Sequence, residues 1–361
     1  MTTPDPGTPT AFAVSPDSGE HWTAEGAWQV DTGIHRIPLP LPMDGLKAIN
    51  VYVIETDSGL TLVDGGWAIP VARDLLERCL KDIGAGFADI DRFLVTHVHR
   101  DHFTMATVLG RELDIDVALG LGDKPALDLL NNALTENPFH AVLRSAGAHA
   151  VAEKWERLEG DDEGPDAELW QYPTSWLDGD HEIAVGARTI DAVHTPGHTP
   201  GHFVFADRTA GLLFAGDHVL PTITPSIGFT VPPTDQPLGD FMASLAKVRS
   251  LPDLRILPAH GPVAPSSYAR VDALLDFHEE RLTASLAALP AAGSGRTATG
   301  YDVAGALGWT RHLHAFDTLD VFSQGMAAME TKAHLDLLVA RGQATCSDPQ
   351  ASPDGVAYSA V

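Results

Sequence analysis

The sequence predicts an α+β fold, with two β-rich halves followed by a small helical domain. Three observations carry this expectation. The apolar runs Val51-Tyr52-Val53-Ile54, Leu60-Thr61-Leu62-Val63 and Phe93-Leu94-Val95 read as strands, and a stretch with helical spacing separates the last two. A second group of short strand-like runs lies between His181 and Ala215. Beyond Pro265 the spacing turns helical. Strand, helix, strand in that order is the mark of layered α/β structure.

The elements follow in chain order. Residues 1–27 hold a segment rich in Pro, Thr and Ser, which predicts a disordered arm, with order beginning near Trp28. Asp57-Ser58-Gly59 is a hairpin signal between the first two strands, and Asp64-Gly65-Gly66 ends the second. From Val71 to Ile83, the residues Val71, Leu75, Leu76, Cys79 and Leu80 share one helical face. Residues 121–164 favour helix with irregular apolar spacing and end in the acidic run Gly160-Asp161-Asp162-Glu163-Gly164; they predict a helical insertion. Strands are expected at His181–Val185, Thr189–Val193, His202–Phe205 and Leu212–Ala215, joined by segments with Gly, Pro or Asp. Helices are then expected over Val271–Leu286, Thr299–Leu307 and Phe322–Leu337, the last closed by Arg341 and Gly342. The organisation is thus a β-rich region over 28–265, a helical domain over 266–345 and a flexible tail over 346–361. The stripe Phe322, Met326 and Met329 is expected to pack in a core or interface rather than to bind.

Bulk properties narrow the function classes. The chain has 361 residues, 44% of them hydrophobic, enough for one large domain and a small one. Its 23 basic against 49 acidic side chains give a net charge of −26, and no Lys/Arg cluster interrupts this. Such a surface repels phosphate backbones, so nucleic acid is not the favoured partner. Two cysteines far apart argue against a disulfide framework or a thiolate zinc site. No apolar run approaches the roughly 20 residues of a membrane span. The first residues lack the positive-then-apolar pattern of an export signal, and a cytoplasmic location is expected.

The chemistry concentrates in Thr96-His97-Val98-His99-Arg100-Asp101-His102, directly after a strand. Three imidazoles and a carboxylate in six residues suggest a site for more than one metal ion. Four other segments place ligand types beside Gly or Pro: Asp64-Gly65-Gly66, the His194 to His202 run around Pro196-Gly197-His198, Gly216-Asp217-His218, and Ala259-His260-Gly261-Pro262. Gly and Pro are expected where backbone turns sharply around a crowded centre.

These motifs, in this order, resemble those of the metallo-β-lactamase-fold hydrolases: His-x-His-x-Asp-His at 97–102, Thr-Pro-Gly-His-Thr at 195–199, Gly-Asp at 216–217 and His-Gly at 260–261. The resemblance covers about residues 28–265. It implies an αββα sandwich with its metal site at one edge. The C-terminal part, through Met329-Glu330-Thr331-Lys332-Ala333-His334-Leu335, resembles the small winged-helix-like domain of one subgroup. By that resemblance His97, His99 and His198 hold one metal, Asp101, His102 and His260 hold a second, and Asp217 bridges them. Asp64 would orient loops and ligands rather than bind. His194, His202 and His218 lie beside a ligand set that is already full, and they read as hydrogen-bonding support. Asp101 and Asp217 are the expected catalytic carboxylates.

Nitrogen and oxygen donors without thiolate suit two divalent cations, zinc first, with iron or manganese compatible. Two such cations sharing a water lower its pKa towards ~7, and the resulting bridging hydroxide attacks an electrophilic carbonyl or phosphorus. The favoured reading is a metal-dependent hydrolase of a small-molecule activated ester, thioester or lactone. The alternatives are an RNA or phosphodiester hydrolase and an iron-dependent sulfur dioxygenase-like enzyme. A homodimer through the C-terminal domain is compatible with the sequence.

Overall fold

The structure, a computed structural model, describes residues 22–42, 45–131, 137–159, 167–291, 294, 296–309, 314–348 and 354–361. Most of the expected arm and the acidic run 160–164 lie outside the described residues. Seven strands form the first sheet: β1 (Trp28–Asp31), β2 (Ile34–Pro40), β3 (Ala48–Glu55), β4 (Leu60–Val63), β5 (Ile90–Leu94), β6 (Asp116–Gly120) and β7 (Ser175–Leu177), in that spatial order. The strands β1 to β4 pair antiparallel, and the expected hairpin closes with Tyr52 opposite Val63 and Glu55 opposite Leu60. From β4 to β7 the pairing is parallel.

The second sheet holds β8 (His181–Val185), β9 (Arg188–His194), β10 (Phe203–Asp207), β11 (Leu212–Gly216) and β12 (Arg255–Pro258). It is antiparallel except that β12 runs parallel to β11.

Side-chain alternation explains why these strands read as continuous apolar runs. In β3, Tyr52 and Ile54 point into the layer between the sheets, while Ile49, Val51 and Val53 point outward. In β10, Phe203 and Phe205 point inward, and Val204 and Ala206 outward. Both faces are covered, so neither can be polar. The outer face of the first sheet carries α1 (Pro70–Asp82) and α2 (Arg100–Leu113). After the insertion helices α3 (Lys124–Asn131), α4 (Pro138–Ser145) and α5 (His149–Glu159), the outer face of the second sheet carries α6 (Pro237–Arg249) and α7 (Ser267–Ala288). The layering is α/β/β/α.

Two expectations about the C-terminal part are corrected. Strands do not stop at Pro265: β13 (Ala298–Thr299) precedes α8 (Gly300–Ala306), and further short strands follow α8 and α9 (Val321–Ala340). A small hairpin pairs β14 (Gly308–Trp309) with β15 (His314–Ala315). The final residues are not a loose tail: β16 (Ala344–Cys346) pairs with β17 (Ala357–Ala360), which in turn pairs with β13. Tyr358 anchors that edge, fully buried with its hydroxyl donating to Asp336 Oδ1 at 2.6 Å. A four-residue strand held by one buried ring has too little periodicity to be read against Pro/Ser/Gly/Asp-rich neighbours. The insertion and the C-terminal part meet: Val142, Leu143, Val151 and Trp155 share an apolar cluster with Ala328 and Met329 of α9. Among the described residues no helix is long and apolar enough to cross a membrane.

Candidate metal centre

Five strand ends converge at one edge of the sandwich. The chain leaves β4 into Asp64 and β5 into Thr96, His97 and His99. The first turn of α2 adds Asp101 and His102. The connection from β9 to β10 carries His198, β11 runs into Asp217, and β12 is followed by His260. The last loop is tied to β3: Asn50 donates to the Pro258 and Gly261 carbonyls at 2.9 Å, and the Tyr52 hydroxyl donates to Pro258 at 2.8 Å.

His97 Nε2, His99 Nδ1 and His198 Nε2 lie 3.0, 3.1 and 3.2 Å from one another. Four donors held ~2.0–2.1 Å from one tetrahedral cation stand about 3.3 Å apart. Asp101, His102 and His260 form a second group, with His260 Nε2 3.3 Å from Asp101 Oδ2. Asp217 faces both groups: Oδ2 is 3.5 Å from His198 Nε2, while Oδ1 is 3.4 Å from His260 Nε2 and 3.6 Å from His102 Nε2.

The remaining ring nitrogens orient the converging ones. His198 Nδ1 donates to the Ser226 carbonyl at 2.8 Å, His260 Nδ1 to the Ala48 carbonyl at 2.8 Å, and His102 Nδ1 to Asp64 Oδ2 at 2.9 Å. Each such bond puts the proton on the outer nitrogen, so a neutral ring turns its lone pair toward the centre. His102 Nε2, His260 Nε2 and Asp217 Oδ1 are buried without a hydrogen-bond partner. Buried polar atoms left so are costly, and a shared cation would satisfy all three at once. The donor set fits divalent cations of the zinc type.

In the metal-free protein the electrostatics divide the rings, with His97 neutral and His102 charged, so a cation would displace the inner proton of His102. Burial pushes the His97 pKa far down, and the neighbouring imidazoles His102, His99 and His198 push it further, so this ring is neutral. Burial also opposes charge on His102, but Asp64, Asp101 and Asp217 more than offset it and raise its pKa to about 10. Burial disfavours the Asp101 anion too, yet His102 and His260 hold its carboxyl well below the usual range.

A protein-family model described as the metallo-beta-lactamase superfamily matches residues 44–260, which spans every one of these side chains. The chain belongs to the metallo-beta-lactamase superfamily. Among superfamily relatives, "Beta-lactamase-like protein 2 homolog" of Caenorhabditis elegans is 28% identical over 65% of this chain and 63% of its own length. "Atrochrysone carboxyl ACP thioesterase" of Emericella nidulans is 25% identical over 62% of this chain and 55% of its own. The chain therefore spans less than two thirds of each of these two relatives. A metallo-beta-lactamase family protein from Thermus thermophilus matches 92% of this chain and 100% of its own with a TM-score of 0.70 at 25% identity. A beta-lactamase domain protein from Burkholderia ambifaria matches 95% of this chain and 98% of its own with a TM-score of 0.74 at 22% identity, which shows the fold alone.

Within this superfamily scaffold the supporting residues divide clearly. Asp64 does not join the cluster. Its Oδ1 accepts from the Thr96 amide at 2.8 Å, and its Oδ2 fixes His102. His202 is buried, with Nδ1 3.0 Å from the Thr195 hydroxyl and Nε2 accepting the Asp217 amide at 3.2 Å, so it sets the backbone that presents Asp217. His194 turns away, its Nε2 donating to the Pro200 carbonyl at 2.9 Å. His218 departs from the expected hydrogen-bonding support: both ring nitrogens are buried without a hydrogen-bond partner, the ring packs on Phe241 and His202, and burial holds its pKa down at about 3.

Sequence reasoning missed Asp123. This buried carboxylate accepts from Gly201 N at 2.7 Å, Val98 N at 2.9 Å and Thr199 Oγ1 at 3.1 Å, clamping the His97–His99 loop to the His198 loop. Burial raises its pKa to about 6 against the pull of those three bonds. The approach is so close that a Cβ on Gly120 would stand 1.8 Å from the Gly201 carbonyl oxygen. The Gly120-Leu121-Gly122-Asp123 turn after β6 was the available signal. Asp123→Ala is expected to weaken divalent-metal affinity by about 10–100-fold, measured by competition with a chelator. Unchanged affinity would show that the two loops hold without the clamp.

Proposed function

We propose that this chain is a metal-dependent hydrolase with two divalent cations, zinc by donor chemistry, acting on an activated ester, thioester or lactone of a small molecule. The observation that supports it most is the convergence of buried donor atoms without hydrogen-bond partners beside an apolar cavity. His97, His99 and His198 would hold one cation, Asp101, His102 and His260 the other, and the two oxygens of Asp217 face both groups. When bound, such cations supply an acidified water and polarise a carbonyl oxygen.

The protein's own groups do the rest. The outer hydrogen bonds of His102, His198 and His260 fix ring orientation before substrate arrives. With an apolar substrate seated, the walls would keep bulk water from the donors and strengthen the charge interactions inside. The cavity walls add one cation, Arg100, among the described residues, and its guanidinium lies 4.4 Å over the Trp67 ring. A polyphosphate track needs more, so a small acyl substrate fits better than RNA. The name of the thioesterase relative points the same way.

The test is turnover of acyl thioesters and lactones by zinc-loaded protein, with metal content measured on the same sample. Two zinc ions per chain and activity that chelation removes and zinc restores are expected. A single iron per chain, or no turnover of any ester in the panel, would sink the reading.

A further inference from the structure

We infer that the cavity beside the histidine cluster is an acyl chamber that selects a bulky apolar or aromatic acyl group, with Phe322 of α9 closing its far wall. This rests on the hydrolase reading and names the substrate class of that same site.

The cavity has a volume of about 520 Å³, within the range of pockets that enclose a drug-sized ligand. Its floor carries His99, Asp101, His198 and Asp217. Away from that floor the walls are largely hydrocarbon, and an aromatic series runs outward from a candidate ligand. The Phe229 ring lies 6.4 Å from His99, Phe139 stacks on Phe229 at 4.1 Å, and Phe322 meets Phe229 edge-on at 6.0 Å. Trp155 backs Phe322 in a parallel stack at 5.2 Å, so that wall is held in place.

The three wall rings come from three parts of the chain. Phe139 is on the insertion, Phe229 on the segment between β11 and α6, and Phe322 on the first turn of α9. The insertion and the C-terminal helix therefore meet over the cavity and jointly set its depth.

Two further observations say what fills it. Phe322 and Ile223 are 55% and 41% exposed, and both line the cavity. An apolar occupant would take that surface out of water. The charged groups on the lining are Asp101, Asp123, Asp217 and Arg100 among the described residues, and Asp123 is already engaged by three donors. Among the described lining residues Arg100 is the one side chain with a permanent positive charge, so the lining favours an uncharged acyl group. Each methylene placed against these walls should strengthen binding by about three- to fourfold.

The experiment is calorimetric titration of the zinc-loaded full chain with S-alkyl N-acetylcysteamine thioethers, from ethyl to decyl plus phenethyl. These have no scissile carbonyl, so binding is read apart from turnover. Expected is a Kd that falls about three- to fourfold per methylene over the first carbons, with phenethyl binding as tightly as hexyl. Phe322→Ala and Phe229→Ala should each weaken decyl binding by about tenfold and flatten the slope. Leu158→Ala, at an exposed residue of α5 off the lining, should leave the slope unchanged. A Kd constant within about twofold from ethyl to decyl overturns the chamber. A clear slope without turnover of the matching thioesters overturns the hydrolase reading and leaves the chamber standing.

Discussion

Asp217→Asn is expected to lower kcat/KM for any ester that the zinc-loaded protein turns over by about a thousandfold or more. Among the described residues Asp217 is the one carboxylate whose two oxygens face different groups of histidines, at 3.5 Å on one side and 3.4 and 3.6 Å on the other. An amide of the same size keeps one oxygen and turns N–H donors toward the other group, where every facing atom is itself a donor or a ligand nitrogen. It also removes the negative charge shared between the two groups. Loss of one well-held cation takes away several kcal/mol of transition-state stabilisation, and about 4 kcal/mol is a factor of a thousand. The backbone should stay put, since the Asp217 amide still donates to His202. Steady-state kinetics with metal analysis of the same sample checks this. Wild-type turnover with full metal content in the variant would remove Asp217 from the centre.

How much of this was legible in the sequence depends on how local each signal is. The run His97 to His102 and the β11 end at Asp217 place ligand types beside apolar strands, and strand ends are where chemistry gathers in layered folds. The strands β3, β4, β10 and β11 read easily because both faces are buried. Other features have at most a weak local signature. Asp123 works across 76 to 78 residues of chain to reach Thr199 and Gly201, and a lone Asp after a Gly-x-Gly turn carries no metal-site pattern. The helix α6 follows a Pro/Gly-rich loop that hides its start. The stripe Phe322, Met326 and Met329 packs as expected, with Met329 in the buried cluster, Met326 against it and Phe322 stacked on Trp155, and periodicity does not show that Phe322 and Met326 also line the cavity. A helix that borders a cavity is as apolar on that side as one packed in a core. The carbonyls of Ala48 and Ser226, which orient His260 and His198, carry no side-chain signal at all.

Asp64→Ala is expected to destabilise the metal-free protein by about 4–6 kcal/mol, a large share of the ~5–15 kcal/mol that holds a typical domain. Three effects act together. The carboxylate and His102 are a buried pair at 2.9 Å, with side chains 3% and 0% exposed. Removing one partner of such a pair costs about 3–5 kcal/mol. The Thr96 amide, buried and donating to Asp64 at 2.8 Å, loses its acceptor at about 1–3 kcal/mol. Asp64 itself sits at φ 64, a left-handed conformation that Asp and Asn tolerate and Ala does not favour. These effects share atoms, so they do not sum in full. Asp64→Asn keeps the backbone preference and one acceptor, and should lose roughly half as much. The pH dependence has a definite sign. The raised His102 pKa of about 10 means that the folded state favours the charged imidazole, against an ordinary value of 6.5. That contribution is fully present below pH 6.5 and fades as pH rises toward 10. The stability gap between wild type and Asp64→Ala should therefore narrow between pH 7 and pH 10 in denaturant titrations of the metal-free protein. A gap that stays constant or widens would mean that His102 is neutral in the fold, and that Asp64 acts on the Thr96 backbone alone.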